Sequence, residues 1–236
     1  MTHKQKILIV EDEIAIRTGL VDVFVYHGYE VDYADHGAEG LKKSLSGLFD
    51  LILLDVMLPG INGFDICRQI RHQDRHQAVI MLTAKTSDED IIQGLSLGAD
   101  DYVSKPFSVT QLVLRVQAVL RRAGRSEQND ASITLTNGMI IDTINLNASN
   151  QAVFTRREMD VLQYLSAESH RPVDRDELLV KVWGYARHME IETRTVDIHI
   201  AKLRKKIEQN AANPTAIVTV RGAGYRLMVD VADKED

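Results

Sequence analysis

The chain has 236 residues, with 34 acidic and 28 basic side chains and a formal net charge of -6 at pH 7. Apolar residues make up 44% and charged residues 26%, which excludes general disorder and suits one large core or two smaller ones. The single cysteine, Cys67, excludes an internal disulfide and any cysteine-rich zinc arrangement, in keeping with a reducing compartment. The longest purely apolar run, Ala78–Leu82, falls far short of the roughly 20 residues a membrane span needs, and the N-terminus carries no secretory signal. A cytoplasmic protein with no membrane partner is expected.

In chain order, short apolar or β-branched runs at Lys6–Val10, Val31–Ala34, Leu51–Leu54, Ala78–Leu82 and Tyr102–Ser104 predict strands. Helical spacing predicts helices at Ile14–His27, Ala38–Ser46, Gly63–Arg71, Asp88–Leu97 and Val109–Arg122. The first, third and fourth strands read as nearly continuous apolar runs, as central parallel strands covered on both faces do. Alternation of this kind predicts an α/β fold, a five-stranded doubly wound parallel sheet over residues 1–122.

Ligands of such sheets gather at the carboxyl ends of the strands. Glu11 and Asp12 end the first strand, Asp55 the third and Thr83 the fourth, and Lys105 follows the fifth, so all five converge on one edge. Three uncompensated carboxylates would repel one another, so the constellation calls for a cation, and few, hard oxygen ligands favour Mg²⁺ over zinc. A carboxylate can attack phosphorus to give an acyl phosphate, and central Asp55 is the candidate nucleophile. Lys105 and the Thr83 hydroxyl would then stabilise the incoming oxygens.

The second half has a different texture. Ala123–Ala131 is polar, small and aperiodic, a linker of nine residues. Residues 132–236 form a second domain with a short acidic tail. Its opening, Ser132–Phe154, is strand-like around an Asn137-Gly138 turn. Thr155 and Glu158 make a capping box for a helix with Met159, Leu162 and Leu165 on its apolar face. Further helices are expected from about Asp174 to Val182 and from Glu192 to about Glu208, followed by a hairpin, Val218–Arg221 and Tyr225–Val229, with the glycine-rich tip Gly222-Ala223-Gly224. This pattern predicts an α+β winged helix-turn-helix. From Thr193 to Arg226 there are seven basic and two acidic residues, a local net of +5 in an acidic chain. On the third helix Val196, Ile200, Leu203 and Ile207 form a buried stripe, which leaves Arg194, His199, Lys202, Arg204 and Lys206 expected outward, a face suited to the major groove of DNA. Arg221 at the wing tip suits the minor groove.

Val10-Glu11-Asp12-Glu13, Leu54-Asp55-Val56-Met57-Leu58-Pro59-Gly60, Leu82-Thr83-Ala84 and Lys105-Pro106-Phe107 resemble the motifs of two-component receiver domains. The resemblance implies a flavodoxin-like receiver with Asp55 as phosphoacceptor, Mg²⁺ held by Glu11, Asp12, Asp55 and the Met57 carbonyl, a cis Lys105–Pro106 bond, and a sensor histidine kinase as phosphate donor. Thr83 and Tyr102 resemble the family's switch pair. Trp183-Gly184, Arg194-Thr195-Val196-Asp197-Ile198-His199-Ile200, Leu203-Arg204-Lys205-Lys206 and Val220-Arg221-Gly222-Ala223-Gly224-Tyr225-Arg226 resemble the DNA-binding domain of OmpR/PhoB-type regulators. By that similarity Trp183, Arg194, His199 and Thr219 would meet phosphates of promoter DNA, and Lys202, Arg204 and Arg221 would face bases or grooves. The loop Gly184–Ile191 would touch RNA polymerase. Ala201 stands at an outward place where some members carry a basic residue.

The same resemblance implies a homodimer formed on phosphorylation. Its interface would place Ile92, Leu95 and Val113 among charges, with Asp101 paired to Arg115 and Asp100 to Arg122 across the twofold axis. Ile91 and Gln111 replace a further charge pair usual in the family, so dimerisation is expected to lean on apolar contact. Two alternatives compete with a phosphorylation-switched transcription factor. A magnesium-dependent phosphatase would need a general acid two residues after Asp55, where Met57 stands, and would leave the basic helix unexplained. A DNA binder without phosphorylation control would not require so complete a pocket. No enzyme is expected beyond the receiver's own phosphotransfer and autodephosphorylation.

Overall fold

A computed structural model describes residues 4–84, 97–123, 131–184 and 194–230, without the side chains of Arg122, Ala123 and Arg194. It divides the chain into two compact units, Met1–Arg125 and Ser126–Asp236.

In the first unit the apolar runs form β1 (Lys6–Val10), β2 (Glu30–Ala34), β3 (Leu51–Asp55), β4 (Ala78–Thr83) and β5 (Asp101–Ser104). They pair in parallel in the order β2-β1-β3-β4-β5. Helices α1 (Ile14–Tyr26), α2 (Gly37–Ser44), α3 (Gly63–Gln73) and α4 (Val109–Ala123) cover the sheet. Ile7, Ile9, Leu51, Leu53, Ile80 and Leu82 pack with Leu20 and Phe24 of α1 and with Leu112 and Val116 of α4. The alternate residues Leu8, Val10, Ile52 and Leu54 are equally buried, which is why these strands read as continuous apolar runs. The expected Asp88–Leu97 helix falls almost wholly outside the described residues. Other boundaries shift by one or two residues, as helix and strand ends do.

One close approach sets the site geometry. Gly63 opens α3 directly against the end of β3, and a Cβ there would lie 2.1 Å from the Asp55 carbonyl oxygen. Asn62 caps the same helix by accepting from the Asp65 amide.

The second unit begins with the antiparallel sheet β6 (Ser132–Thr134), β7 (Ile140–Asp142) and β8 (Asn147–Ala148). Helix α5 (Arg156–Ala167) carries the expected capping box, with both Thr155 and Glu158 engaged. The second expected helix is α-helical only at α6 (Arg175–Leu178) and continues as a π-helical turn, Leu179–Trp183, ending at Gly184 in the left-handed region (φ 75°). Helix α7 (Arg194–Ile207) and the antiparallel hairpin β9 (Ile217–Val220) and β10 (Gly224–Leu227) complete a winged helix-turn-helix. Gly224 (φ 111°) brings β10 against the chain before α6, where a Cβ would meet the Val173 carbonyl oxygen at 2.0 Å. The core joins Leu162 and Leu165 of α5, Val182 and Trp183, and Val196, Ile200, Leu203 and Ile207 of α7. Residues 124–130 of the expected linker and the tail 231–236 lie outside the described residues.

Candidate functional site

Parallel strands end at one edge of the sheet, and that edge gathers the polar residues picked out by sequence. Asp55 is the last residue of β3 and Thr83 the last of β4, both buried, while Glu11 follows β1, also buried, and Asp12 beside it is exposed. Lys105 directly follows β5 and is joined to Pro106 by a cis bond. Its Nζ donates to Glu11 Oε2 at 2.7 Å, Glu11 Oε1 at 2.9 Å and Asp55 Oδ2 at 2.9 Å. The Lys105 amide donates to the Thr83 carbonyl at 2.6 Å, which ties the lysine to the end of β4. Asp55 Oδ1 accepts from the Met57 amide at 3.1 Å, and the Met57 side chain is 55% exposed.

Electrostatics follow from this crowding. Burial, with Asp55 adding repulsion, pushes the Glu11 carboxyl up to about 7, against the pull of Lys105. Burial works against the Lys105 ammonium, but its hydrogen bonds to Glu11 and Asp55 outweigh that and raise its pKa. One ammonium therefore faces two buried carboxylates, with Asp12 beside them. Carboxylate oxygens of Glu11, Asp12 and Asp55 all lie within 4.8 Å of one another. Three hard oxygen donors with a surplus of negative charge fit a small divalent cation. Arg17 braces this loop from α1: its Nη1 donates to the carbonyl oxygens of Glu11 (2.8 Å) and Asp12 (3.0 Å). Sequence reading missed Arg17, because a basic residue in a first helical turn carries no signal of a carbonyl-directed bond. Tyr102 is buried on β5, in register with Met81 of β4, while Thr83 pairs in register with Ser104.

The described residues expected at a dimer interface make contacts within the chain. Val113 is 5% exposed and packs into the core beneath α4, beside Leu112 and Val116. Asp101 is 2% exposed and pairs with Arg115 of its own chain at 2.9 Å. Asp100 pairs with Arg71 at 3.0 Å and accepts from the Val79 amide at 2.9 Å. In the single chain, then, both aspartates are drawn inward, each held by a partner of its own chain. Ile92, Leu95 and the side chain of Arg122 lie outside the described residues.

In the second unit, α7 shows its apolar stripe buried as expected, but several of its polar residues are not outward. His199 and Trp183 are each 1% exposed, with ring centroids 5.0 Å apart in an edge arrangement, so neither presents itself to a phosphate as sequence suggested. His199 Nδ1 donates to the Thr195 carbonyl at 2.8 Å, and burial, then the Lys202 charge, lowers its pKa to about 4. Lys202 and Lys206 turn toward buried Glu158, at 3.2 and 2.5 Å. Those two ammonium groups overcome the cost of burial and hold the Glu158 carboxyl down to about 2. Arg204 donates to the Ile217 carbonyl (2.9 and 2.7 Å) and to Thr219 Oγ1 (2.8 Å), so it links α7 to the wing. Asp197 accepts from Arg175 Nε (2.7 Å) and from the Tyr225 hydroxyl (2.6 Å), a second link. Arg221 and Thr219 are exposed, while the Arg194 side chain and residues 185–193, which include most of the Gly184–Ile191 loop, lie outside the described residues.

Comparison with known proteins agrees with both units. Residues 7–117 match the response regulator receiver domain, and residues 149–227 match the C-terminal domain of transcriptional regulatory proteins. The response regulator ArlR of Staphylococcus haemolyticus is 42% identical over 222 residues, covering 93% of this chain and 97% of that protein. The transcriptional regulatory protein ResD of Bacillus subtilis is 38% identical over 239 residues, covering 97% and 98%. Among solved structures, a RitR mutant superposes with a TM-score of 0.69 at 28% identity, covering 95% of this chain and 99% of that one. The OmpR/PhoB homologue DrrB of Thermotoga maritima gives 0.53 at 28% identity, covering 96% and 100%. With a receiver pocket in one unit, a winged helix-turn-helix in the other and relatives matched along nearly their whole length, this chain belongs to the OmpR/PhoB-type response regulators, two-component regulators of transcription.

Proposed function

We propose that Asp55 is the phosphoacceptor and that Glu11, Asp12, Asp55 and the Met57 carbonyl hold a Mg²⁺ ion. The bound ion would supply positive charge to the phosphoryl oxygens. In the transfer, an Asp55 carboxylate oxygen forms a bond to phosphorus while the P–N bond of a sensor kinase's phosphohistidine breaks, and the neutral imidazole leaves after taking up a proton. Lys105 neutralises charge on the arriving oxygens from a position it already occupies, so little reorganisation is needed. Thr83, at the end of the neighbouring strand, would donate to the phosphoryl group and, with Tyr102, report its presence. Hydrolysis of the acyl phosphate by the same pocket resets the protein. All of this takes place in the cytoplasm.

The observation that carries this reading is the single ammonium of Lys105 shared by Glu11 and Asp55 at the carboxyl edge of the sheet. Phosphorylation is proposed to favour a homodimer, which raises the effective concentration of two winged helices on repeated half-sites of promoter DNA, where RNA polymerase is engaged. Incubation with Mg²⁺ and acetyl phosphate tests the pocket. A hydroxylamine-labile adduct on the wild type that is missing from Asp55→Asn is expected, and equal labelling of both would remove the assignment.

A further inference from the structure

The side chains of α7 that flank its buried stripe are occupied. Lys202 and Lys206 are drawn to Glu158, Arg204 to the Ile217 carbonyl and Thr219, and Asp197 to Arg175 and Tyr225. What faces away from the core is a narrower line. Ile198, Ala201 and Lys205 recur at intervals of three and four residues, so they fall on one stripe opposite Val196, Ile200, Leu203 and Ile207. Ala201 and Lys205 are exposed and Ile198 is partly so. The middle of the outward face is therefore apolar, flanked by cations that are already engaged.

An apolar surface in a major groove has one complementary group on the base edges, the 5-methyl of thymine. We infer that this chain reads its half-site through contact of Ile198 and Ala201 with thymine methyl groups, while Lys205 holds a phosphate. Glu158 acts as a positioning residue: by drawing Lys202 and Lys206 aside, it keeps donors out of the middle of the groove, where they would favour guanine. The inference rests on the second unit being the DNA-binding domain.

The test uses the full chain and a duplex selected by it from a randomised pool. Each thymine of the selected half-site is replaced in turn by deoxyuridine, which removes only the methyl group and leaves every hydrogen-bonding atom in place. Loss of one buried methyl contact should weaken binding about fourfold. In Ile198→Ala the same replacement should have no effect at the position that Ile198 covers. Lys205→Ala should weaken target and random duplexes by the same factor and flatten the salt dependence. Lys202→Gln should leave the ratio of target to random binding within about twofold, below the cost of one lost methyl contact. The inference is overturned if no deoxyuridine replacement weakens binding, or if Lys202→Gln and Arg204→Gln lose discrimination while Ile198→Ala keeps it. Either result with salt-dependent duplex binding intact leaves the DNA-binding reading standing. Absence of any duplex binding would overturn both.

Discussion

His199 makes the stability of the DNA-binding unit depend on pH through one buried ring. The imidazole is 1% exposed, its Nδ1 donates to Thr195, and Nε2 has no hydrogen-bond partner among the described residues. A proton on Nε2 would be buried away from water and near Lys202 and Arg157, and the Thr195 hydrogen bond and Glu158 offset this only in part, so the folded pKa drops to about 4 from 6.5. A base with a depressed folded pKa remains neutral in the native state while the unfolded chain takes up its proton. Its effect on stability is therefore nil well above 6.5, and stability falls as pH drops from 6.5 to about 4. Integrating the two titrations gives a loss of about 2 kcal/mol between about pH 7 and about pH 5. Glu158 loses its own contribution only lower, as pH falls from 4.5 toward about 2, so the two windows are separate. Trp183 is the chain's single tryptophan and its ring lies 5.0 Å from that of His199, so urea melts followed by tryptophan fluorescence report this unit directly. The wild type should lose about 2 kcal/mol more over that interval than His199→Gln. Equal slopes for the two proteins would refute the argument.

Three further outcomes follow from single contacts. Arg17→Ala should weaken Mg²⁺ binding measured by calorimetry several-fold while the receiver remains folded by circular dichroism, with Arg17→Lys partly restoring it, since the brace on the Glu11 and Asp12 carbonyls is lost. Gly224→Ala should lower the stability of the DNA-binding unit by about 2 kcal/mol or more in urea melts, because the new Cβ meets the Val173 carbonyl and φ stands at 111°. Asp101→Arg and Arg115→Asp, each with like charges juxtaposed in its own chain, should form a mixed dimer in the presence of a phosphate mimic more readily than either dimerises alone. Sedimentation showing no preference for the mixture would place the dimer contact elsewhere.

The receiver pocket was legible because strand ends in a parallel sheet share an edge, so the order of five residues in the chain already fixed their convergence. Glu11, Asp55, Thr83 and Lys105 are where that rule puts them. Periodicity also gave the buried stripe of α7 correctly. It failed on His199, which sits one residue outside the stripe and is covered by Trp183, a contact between segments that helical spacing cannot encode. Glu158 was legible only as half of a capping box: its second role needs Lys202 and Lys206, more than forty residues away, to fold back over α5. Val113, between Leu112 and Leu114 in sequence, packs with Leu112 and Val116 on the core face of α4, which spacing alone does not separate from a patch at an interface. The π-helical turn before Gly184 has no signature in Leu179–Trp183, whose composition suits an ordinary α-helix equally well.

The intrachain Asp101–Arg115 pair bears on how phosphorylation can favour a dimer. A twofold interface that used the same two residues across the axis would break two pairs within the chains and form two between them, so the number of ion pairs would be unchanged. Asp101 is almost fully buried, and a buried carboxylate deprived of its guanidinium costs several kcal/mol, so the exchange must be concerted and neither pair can be absent for long. Such an exchange supplies orientation, since only one register returns a partner to each aspartate, but it supplies almost no net affinity. The drive to associate then has to come from apolar area and from whatever the phosphoryl group does to the Thr83 and Tyr102 strands. Asp101 directly precedes Tyr102 on β5 and accepts from its amide, so under the proposed switch a movement of that tyrosine would shift the backbone that holds the aspartate, and charge at Asp55 on β3 would reach the interface by way of Thr83 on β4 and Tyr102 on β5.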